Sequence, residues 1–215
     1  EAAAAAAPHP AAGTIGAHVM RGLPHREDSS SKFSSGVLSV LGGSTGLTGA
    51  PCLAATAAQR TGAGYVTVIV PRSLNLVFEQ RLLEVMSLPL PDDDGAMNAD
   101  GLATALERTR RSDAIIVGPG VGRADATGEL VRGVLADCDL PALVDADGLF
   151  AYAGDIEGLR RAAPTVITPH SGELGRLLGV SSDDVEAGRL EAAAEAARRS
   201  GAVVVMKGSD TIVAD

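Results

Sequence analysis

The residues of this chain that are suited to chemistry recur at one kind of position. Five short apolar runs end in Gly, Asp, His or Lys rather than in generic turn residues: at Gly42-Gly43, Gly118–Gly122, Asp145–Asp147, Thr168–His170 and Lys207-Gly208. The first of these continues as Gly-Gly-Ser-Thr-Gly-Leu-Thr-Gly over Gly42–Gly49, ahead of an Ala-rich stretch. Exposed backbone N–H groups in such a loop can hold an anion; a plain tight turn is the other reading. It is not a Walker loop, because no Lys-Ser/Thr follows the last Gly. It also fails as a Rossmann fingerprint, since its glycines are spaced Gly-x-x-Gly-x-x-Gly and the next run ends in Pro71-Arg72 rather than in an acid for a ribose.

The remaining ends each fit a chemical and a structural role. In Gly118–Gly122, Pro119 fixes the turn and the glycines let backbone approach a ligand. Asp145 and Asp147 suit a magnesium-bound nucleotide or its water shell, or the N-cap of a short helix. His170 suits a hydrogen bond to a substrate hydroxyl or amide, or is an incidental surface group. Glu173 is placed to cap the helix that begins beside it. Lys207 closes the apolar run Val203–Met206 and suits a phosphate, or is simply solvated.

These residues can meet only if the elements between them bring them together. Strands are expected at Val37–Leu41, Tyr65–Val70, Val85–Leu90, Ala114–Val117, Ala142–Val144, Thr165–Ile167 and Val203–Met206. Helices are expected at Pro51–Thr61, Ser73–Glu84, Asp100–Arg111, Thr127–Ala136, Ser171–Leu178 and, as one Ala/Glu/Arg element, Val185–Arg199. Thr211–Asp215 reads as a further strand, and Thr14–Leu23 as a short helical turn. Strands alternating with helices imply parallel βαβ units with right-handed crossovers. Apolar strands of this kind suit a sheet covered on both faces. In a parallel sheet all C-terminal strand ends share one edge, where ligands bind. The strand ends at Gly43, Gly120, Asp145, His170 and Lys207 are therefore expected along one cleft.

Composition narrows the class. The chain has 215 residues, enough for one domain with a substantial core. Its 18 Lys+Arg against 27 Asp+Glu leave a net charge of -9, which argues against a nucleic-acid-binding face. Scarce aromatics and no Trp argue against base-stacking platforms. No apolar run is long enough to span a membrane, and no signal peptide opens the chain. Cys52 and Cys138 are the two cysteines, a pair at most and no disulfide framework. A cytoplasmic protein is expected.

Taken in order, Lys32–Gly36, Gly42–Ala50, Gly62–Gly64, Gly118–Gly122, Asp145–Asp147, Thr168–Glu173 and Lys207–Thr211 resemble the dehydratase domain that acts on hydrated NAD(P)H. Singly these stretches are weak; the ordered set is specific and covers nearly everything from Lys32 onward. The resemblance implies a ribokinase-like three-layer α/β/α fold with a mostly parallel central sheet. It implies a hydro-lyase of metabolite repair that restores NADH or NADPH from the S form of the hydrate. ADP or ATP, with Mg2+, phosphorylates the 6-hydroxyl, and phosphate is then eliminated. By the same resemblance Ala50, Gly122 and His170 contact the hydrated dinucleotide, Lys207, Gly208, Ser209, Asp210 and Thr211 contact the adenine nucleotide, and the assembly is a homo-oligomer, a tetramer.

In that family a Gly-Thr-Gly-Asp segment, with the anion hole and the Asp base, follows the Lys207 region. Neither Asp210 nor Asp215 matches it. The chain as written is therefore expected to be incomplete and to have little activity, with its catalytic base unassigned. Residues 1–31 read as a linker or tail and 32–215 as the dehydratase domain. Gly13–Arg26 resembles the junction after an epimerase domain. The rival readings are a hydroxymethylpyrimidine or thiazole kinase of the same fold, a non-catalytic dinucleotide-binding module and, less well, a Rossmann dehydrogenase.

Overall fold

A computed structural model describes residues 12–23 and 28–215. The tail reading of Glu1–Pro10 lies outside the described residues, as do positions 24–27 of the polar boundary. The chain divides into two compact units, Glu1–Ser30 and Ser31–Asp215. In the first, Ala17–Gly22 forms a 3-10 helix with no buried residue.

The second unit begins with β1 (Val37–Leu41), α1 (Gly49–Arg60) and β2 (Tyr65–Pro71). It continues through α2 (Asn75–Arg81), β3 (Met86–Leu90), β4 (Asp92–Asp93) and β5 (Ala96–Met97). Next come α3 (Leu102–Thr109), β6 (Ala114–Val117), α4 (Asp125–Asp137), β7 (Ala142–Val144) and α5 (Asp147–Phe150). The last elements are β8 (Thr165–Ile167), α6 (Ser171–Leu178), α7 (Ser182–Ala187), α8 (Arg189–Ser200), β9 (Val203–Met206) and β10 (Ile212–Ala214).

The main sheet has eight strands in the order β10-β9-β8-β7-β6-β1-β2-β3. Every pairing in it is parallel except β10 on β9. Successive side chains point to opposite faces, so one strand feeds two cores. Val40 and Val68 pack with Phe78 of α2 and with Ala55 and Ala58 of α1. Leu41, Ile69 and Val117 pack on the other face with Leu130 of α4, Leu174 of α6 and Ala193 of α8. This is the expected mostly parallel α/β/α arrangement. Cover is unequal, however. On β7–β9 one face is buried through Val144, Ile167 and Val204, whereas Leu143, Val166 and Val203 on the other face are half-buried.

Several expected elements change. The single helix over Val185–Arg199 is two, broken at Gly188, because Ser181 and Asp184 form a capping box that starts α7 early and Gly188 leaves the helical region. The Ser73–Glu84 helix is a 3-10 turn, Arg72–Leu74, followed by the shorter α2. The β2 strand runs one residue past the expected Val70 and ends at Pro71. The β4–β5 hairpin was not expected; Gly95 takes a positive φ at its turn and its N–H donates to Asp92 Oδ1 at 2.9 Å. Cys52 and Cys138 do not pair: both are free and buried, in separate cores. No helix among the described residues is long and apolar enough to cross a membrane.

Candidate functional site

The loops that follow β1, β6, β7, β8 and β9 are joined in series along one sheet edge. Gly43 N–H donates to Pro119 O at 3.1 Å, and Ser44 Oγ to Gly120 O at 2.9 Å. Asp145 N–H donates to Val117 O at 3.0 Å, Thr168 N–H to Val144 O at 3.2 Å, and Lys207 N–H to Pro169 O at 2.8 Å. His170 and Lys207 form a parallel bridge that extends β8 and β9 by one pairing. The five strand ends therefore share one edge, as expected of a parallel sheet.

Gly118 shows why these loops need glycine. Its φ is +117°, and a Cβ built on it would collide with the Asp145 carbonyl and stand 2.6 Å from Gly148 N. The β6 and β7 loops can approach one another only without a side chain there. Beside it, Ala146 holds φ 51° and ψ -122°, a strained conformation for an L residue. That twist sends its two acidic neighbours in different directions.

Asp145 Oδ1 accepts from Thr168 Oγ1 and from Lys207 Nζ, each at 2.7 Å. Asp147 instead accepts from Gly122 N–H at 3.3 Å and from Arg123 Nε at 2.7 Å. Arg123 also lies 5.0 Å over the Phe150 ring. Neither carboxylate caps α5, whose N-cap position is Ala146 with no side-chain hydrogen bond. Lys207 is not merely solvated: besides Asp145 it has Glu173 Oε2 at 3.7 Å.

His170 is the N-cap of α6. Its Nδ1 accepts from Gly172 N–H at 3.0 Å and from Glu173 N–H at 3.4 Å, while Glu173 Oε2 takes the His170 N–H at 2.9 Å. The reciprocal pair satisfies donors that open the helix. It also fixes the ring: Nδ1 is the acceptor, so Nε2 carries the proton, on an exposed side chain and 3.6 Å from Glu173 Oε1.

Gly122 is half-buried in the β6–α4 loop and Ala50 is exposed in the first turn of α1. The two Gly-rich loops touch: a Cβ on Gly122 would meet Ser44 Oγ at 3.3 Å. Gly208–Thr211 form the exposed connection from β9 to β10. Asp210 is turned away from Lys207, onto Arg189, with Oδ1 3.2 Å from Nη2. Ser209 Oγ reaches Asp210 Oδ1 at 3.4 Å.

Sequence reading missed the residues that hold this loop. Arg189 Nη2 donates to Asp210 O at 2.9 Å, Nη1 reaches both Glu186 oxygens at 3.3 Å, and Glu186 Oε1 accepts from Ser171 Oγ. Ser171 and Arg189 hold Glu186 below the usual carboxylate range. Arg189 therefore links the helix that His170 caps to the Gly208–Thr211 loop. The available signal was Gly188, a helix breaker immediately before it inside an otherwise unbroken helical pattern.

Residues 38–215 match the NAD(P)H-hydrate dehydratase family. The chain is 44% identical over 194 residues to the bifunctional NAD(P)H-hydrate repair enzyme Nnr of Moorella thermoacetica, and 40% identical over 205 residues to that of Salinibacter ruber. These alignments take in 89% and 94% of this chain but 37% and 38% of the relatives. The chain therefore spans well under half the length of the curated relatives it matches. The ADP/ATP-dependent NAD(P)H-hydrate dehydratase of Bacillus subtilis, co-crystallized with ATP/Mg2+, superposes with a TM-score of 0.75 at 31% identity, over 92% of this chain and 66% of that one. The rival kinase and Rossmann readings give way to this match, and the fold is the ribokinase-like one the motifs implied. By sequence and by architecture, the chain belongs to the NAD(P)H-hydrate dehydratase family.

Proposed function

We propose that the protein restores NADH or NADPH from the S form of the hydrated dinucleotide, using ADP or ATP as phosphoryl donor. The observation that carries this reading is the ion pair of Lys207 with Asp145, 62 residues apart in sequence, with His170 bridged to Lys207 on the same strand edge. A fixed ammonium and an oriented imidazole donor on one loop edge suit a phosphate and a ligand hydroxyl or amide respectively.

Ala50, Gly122 and His170 receive the hydrated dinucleotide. Lys207, Gly208, Ser209, Asp210 and Thr211 receive the adenine nucleotide. The terminal phosphoryl group passes to the 6-hydroxyl oxygen of the hydrate as the donor's terminal P–O bond breaks, releasing AMP from ADP or ADP from ATP, and the hydroxyl proton goes to solvent. The C6–O bond then breaks, phosphate leaves with its electron pair, a proton is lost from the adjacent carbon and the ring double bond is restored. Phosphoryl transfer depends chiefly on positioning and charge stabilisation, to which the Lys207 ammonium contributes.

Mg2+ suits this edge. No cluster of three or more metal-ligating side chains occurs among the described residues, but Mg2+ is usually held by one or two carboxylates together with phosphates and water. Asp145 would hold it, since Oδ1 is engaged by Lys207 and Thr168 and Oδ2 lies outside those bonds. Bound there, the metal would offset phosphate charge.

The same reading makes residues 32–215 a dehydratase domain of a cytoplasmic homotetramer, with residues 1–31 as a linker following an epimerase domain.

The test is to incubate the full-length protein with the separated S and R hydrates of NADH, ADP and Mg2+, following reduced nicotinamide and phosphate release. Immediate recovery from the S form, with one phosphate released per NADH restored, and recovery from the R form only after its epimerisation, is the expected result. No recovery, or recovery without nucleotide, would overturn the reading.

A further inference from the structure

The opposite edge of the sheet, where the strands begin, gathers cations that the proposed reaction does not use. Arg108 sits in the last turn of α3 with a half-buried side chain. Its Nη2 and Nε both donate to Thr67 Oγ1, at 2.7 and 3.2 Å. A guanidinium has five donors, and a single hydroxyl is its only hydrogen-bond acceptor among the described residues. No carboxylate stands within ion-pair distance of it there. Burial pushes it below its ordinary value, Tyr65 opposing that shift and Arg111 adding to it.

Arg111 lies one turn beyond Arg108 and is likewise without an ion-pair partner among the described residues. Like charges at this spacing repel. The nearby Glu107 does not relieve them, because it is paired with Arg110 at 2.7 Å. Arg108 and Arg111 line a cavity of about 510 Å³ with Phe33, Val37, Tyr65 and Met86. Above its aromatic wall Lys32 Nζ stands 5.2 Å from the Phe33 ring and 5.7 Å from the Tyr65 ring. The two rings lie 5.8 Å apart. No carboxylate lines this cavity; Asp113, close by, accepts the Val37 N–H at 2.8 Å. A chain of net charge -9 thus keeps three cations without carboxylate partners around one apolar, aromatic hollow of small-molecule size.

We infer that this cavity binds a small phosphate monoester with a flat ring, its phosphate received by Arg108 and Arg111 and its ring lying against Phe33 and Tyr65. Forked guanidinium donors match phosphate oxygens, and a doubly charged oxyanion would relieve the repulsion between the two arginines. Tyr65 and Met86 begin their strands, whereas Lys207 and His170 follow theirs. The site is therefore separate from the strand ends assigned above and does not rest on that assignment.

Phenyl phosphate is the probe, titrated calorimetrically into the protein alongside inorganic phosphate and phenol. Saturable binding at least tenfold tighter than to either half is expected. Arg108→Gln and, separately, Arg111→Ala should each weaken it tenfold or more, whereas removal of a cation elsewhere on the surface, in Arg176→Ala, should leave it unchanged. Arg111 is exposed, so its variant keeps the test open if Arg108→Gln fails to fold. Absence of saturable binding, equal affinity for phosphate alone, indifference to both arginine substitutions, or loss in Arg176→Ala would each overturn the inference.

Discussion

Gly208 lies directly against the guanidinium of Arg189, so close that a Cβ on Gly208 would collide with its Nη atoms. The guanidinium cannot easily withdraw, because Glu186 and Asp210 hold it from two sides. An arginine from the start of α8 thus sets the path of the loop that leaves β9.

Gly208→Ala and Arg189→Ala should therefore disturb the same loop from opposite sides. Each is expected to weaken ADP binding about tenfold, equivalent to about 1.4 kcal/mol. Titration calorimetry with ADP reads this directly. Wild-type affinity in both variants would detach Gly208–Thr211 from the nucleotide.

Lys207→Met separates stability from function. Its side chain is 44% exposed and that of its partner Asp145 is 29% exposed. A pair so open to water contributes about 1 kcal/mol or less to stability. Chemical denaturation should thus show little change, while removal of the ammonium should lower nucleotide affinity at least tenfold. A large loss of stability with unchanged affinity would make Lys207 a structural residue.

His170 has two duties that two substitutions divide. His170→Ala removes both the cap and Nε2, and cap loss costs about 0.5–2 kcal/mol. His170→Asn can restore the cap but has no group where Nε2 lies. The expected pattern is a lower Tm in Ala alone and a raised KM for the S hydrate in both. A normal KM in the Asn variant would leave His170 as a cap only.

Tyr152 gives a pH signature. Burial, opposed by Arg132 and Arg161, pushes its phenol from 10.0 to about 12. The folded form holds the proton that the unfolded form releases first, so this contribution to stability is fully present below pH 10 and is lost as pH rises through about 12. The full effect is about 2–3 kcal/mol. Denaturant titrations over this range should show the decline in the wild type and a shallower one in Tyr152→Phe. Identical slopes would place the phenol in water.

The sequence by itself determined the alternation of strand and helix and the chemical character of each strand end. Val37–Leu41, Ala114–Val117, Ala142–Val144, Thr165–Ile167, Ser171–Leu178 and Val203–Met206 were readable to the residue, because apolar runs bounded by Gly, Pro, Asp or His leave the backbone few choices. Since parallel strands put all their C-terminal ends on one edge, local pattern also implied which residues would gather. Tertiary structure alone decided how those residues pair. Asp145 and Asp147 are equivalent in sequence, yet the positive φ of Ala146 sends one to Lys207 and the other to Arg123. Arg189 looked like one more charge on a long helix until the break at Gly188 turned it under Gly208. Ion pairs between distant segments depend on crossing angles and loop paths, to which periodicity along the chain is blind.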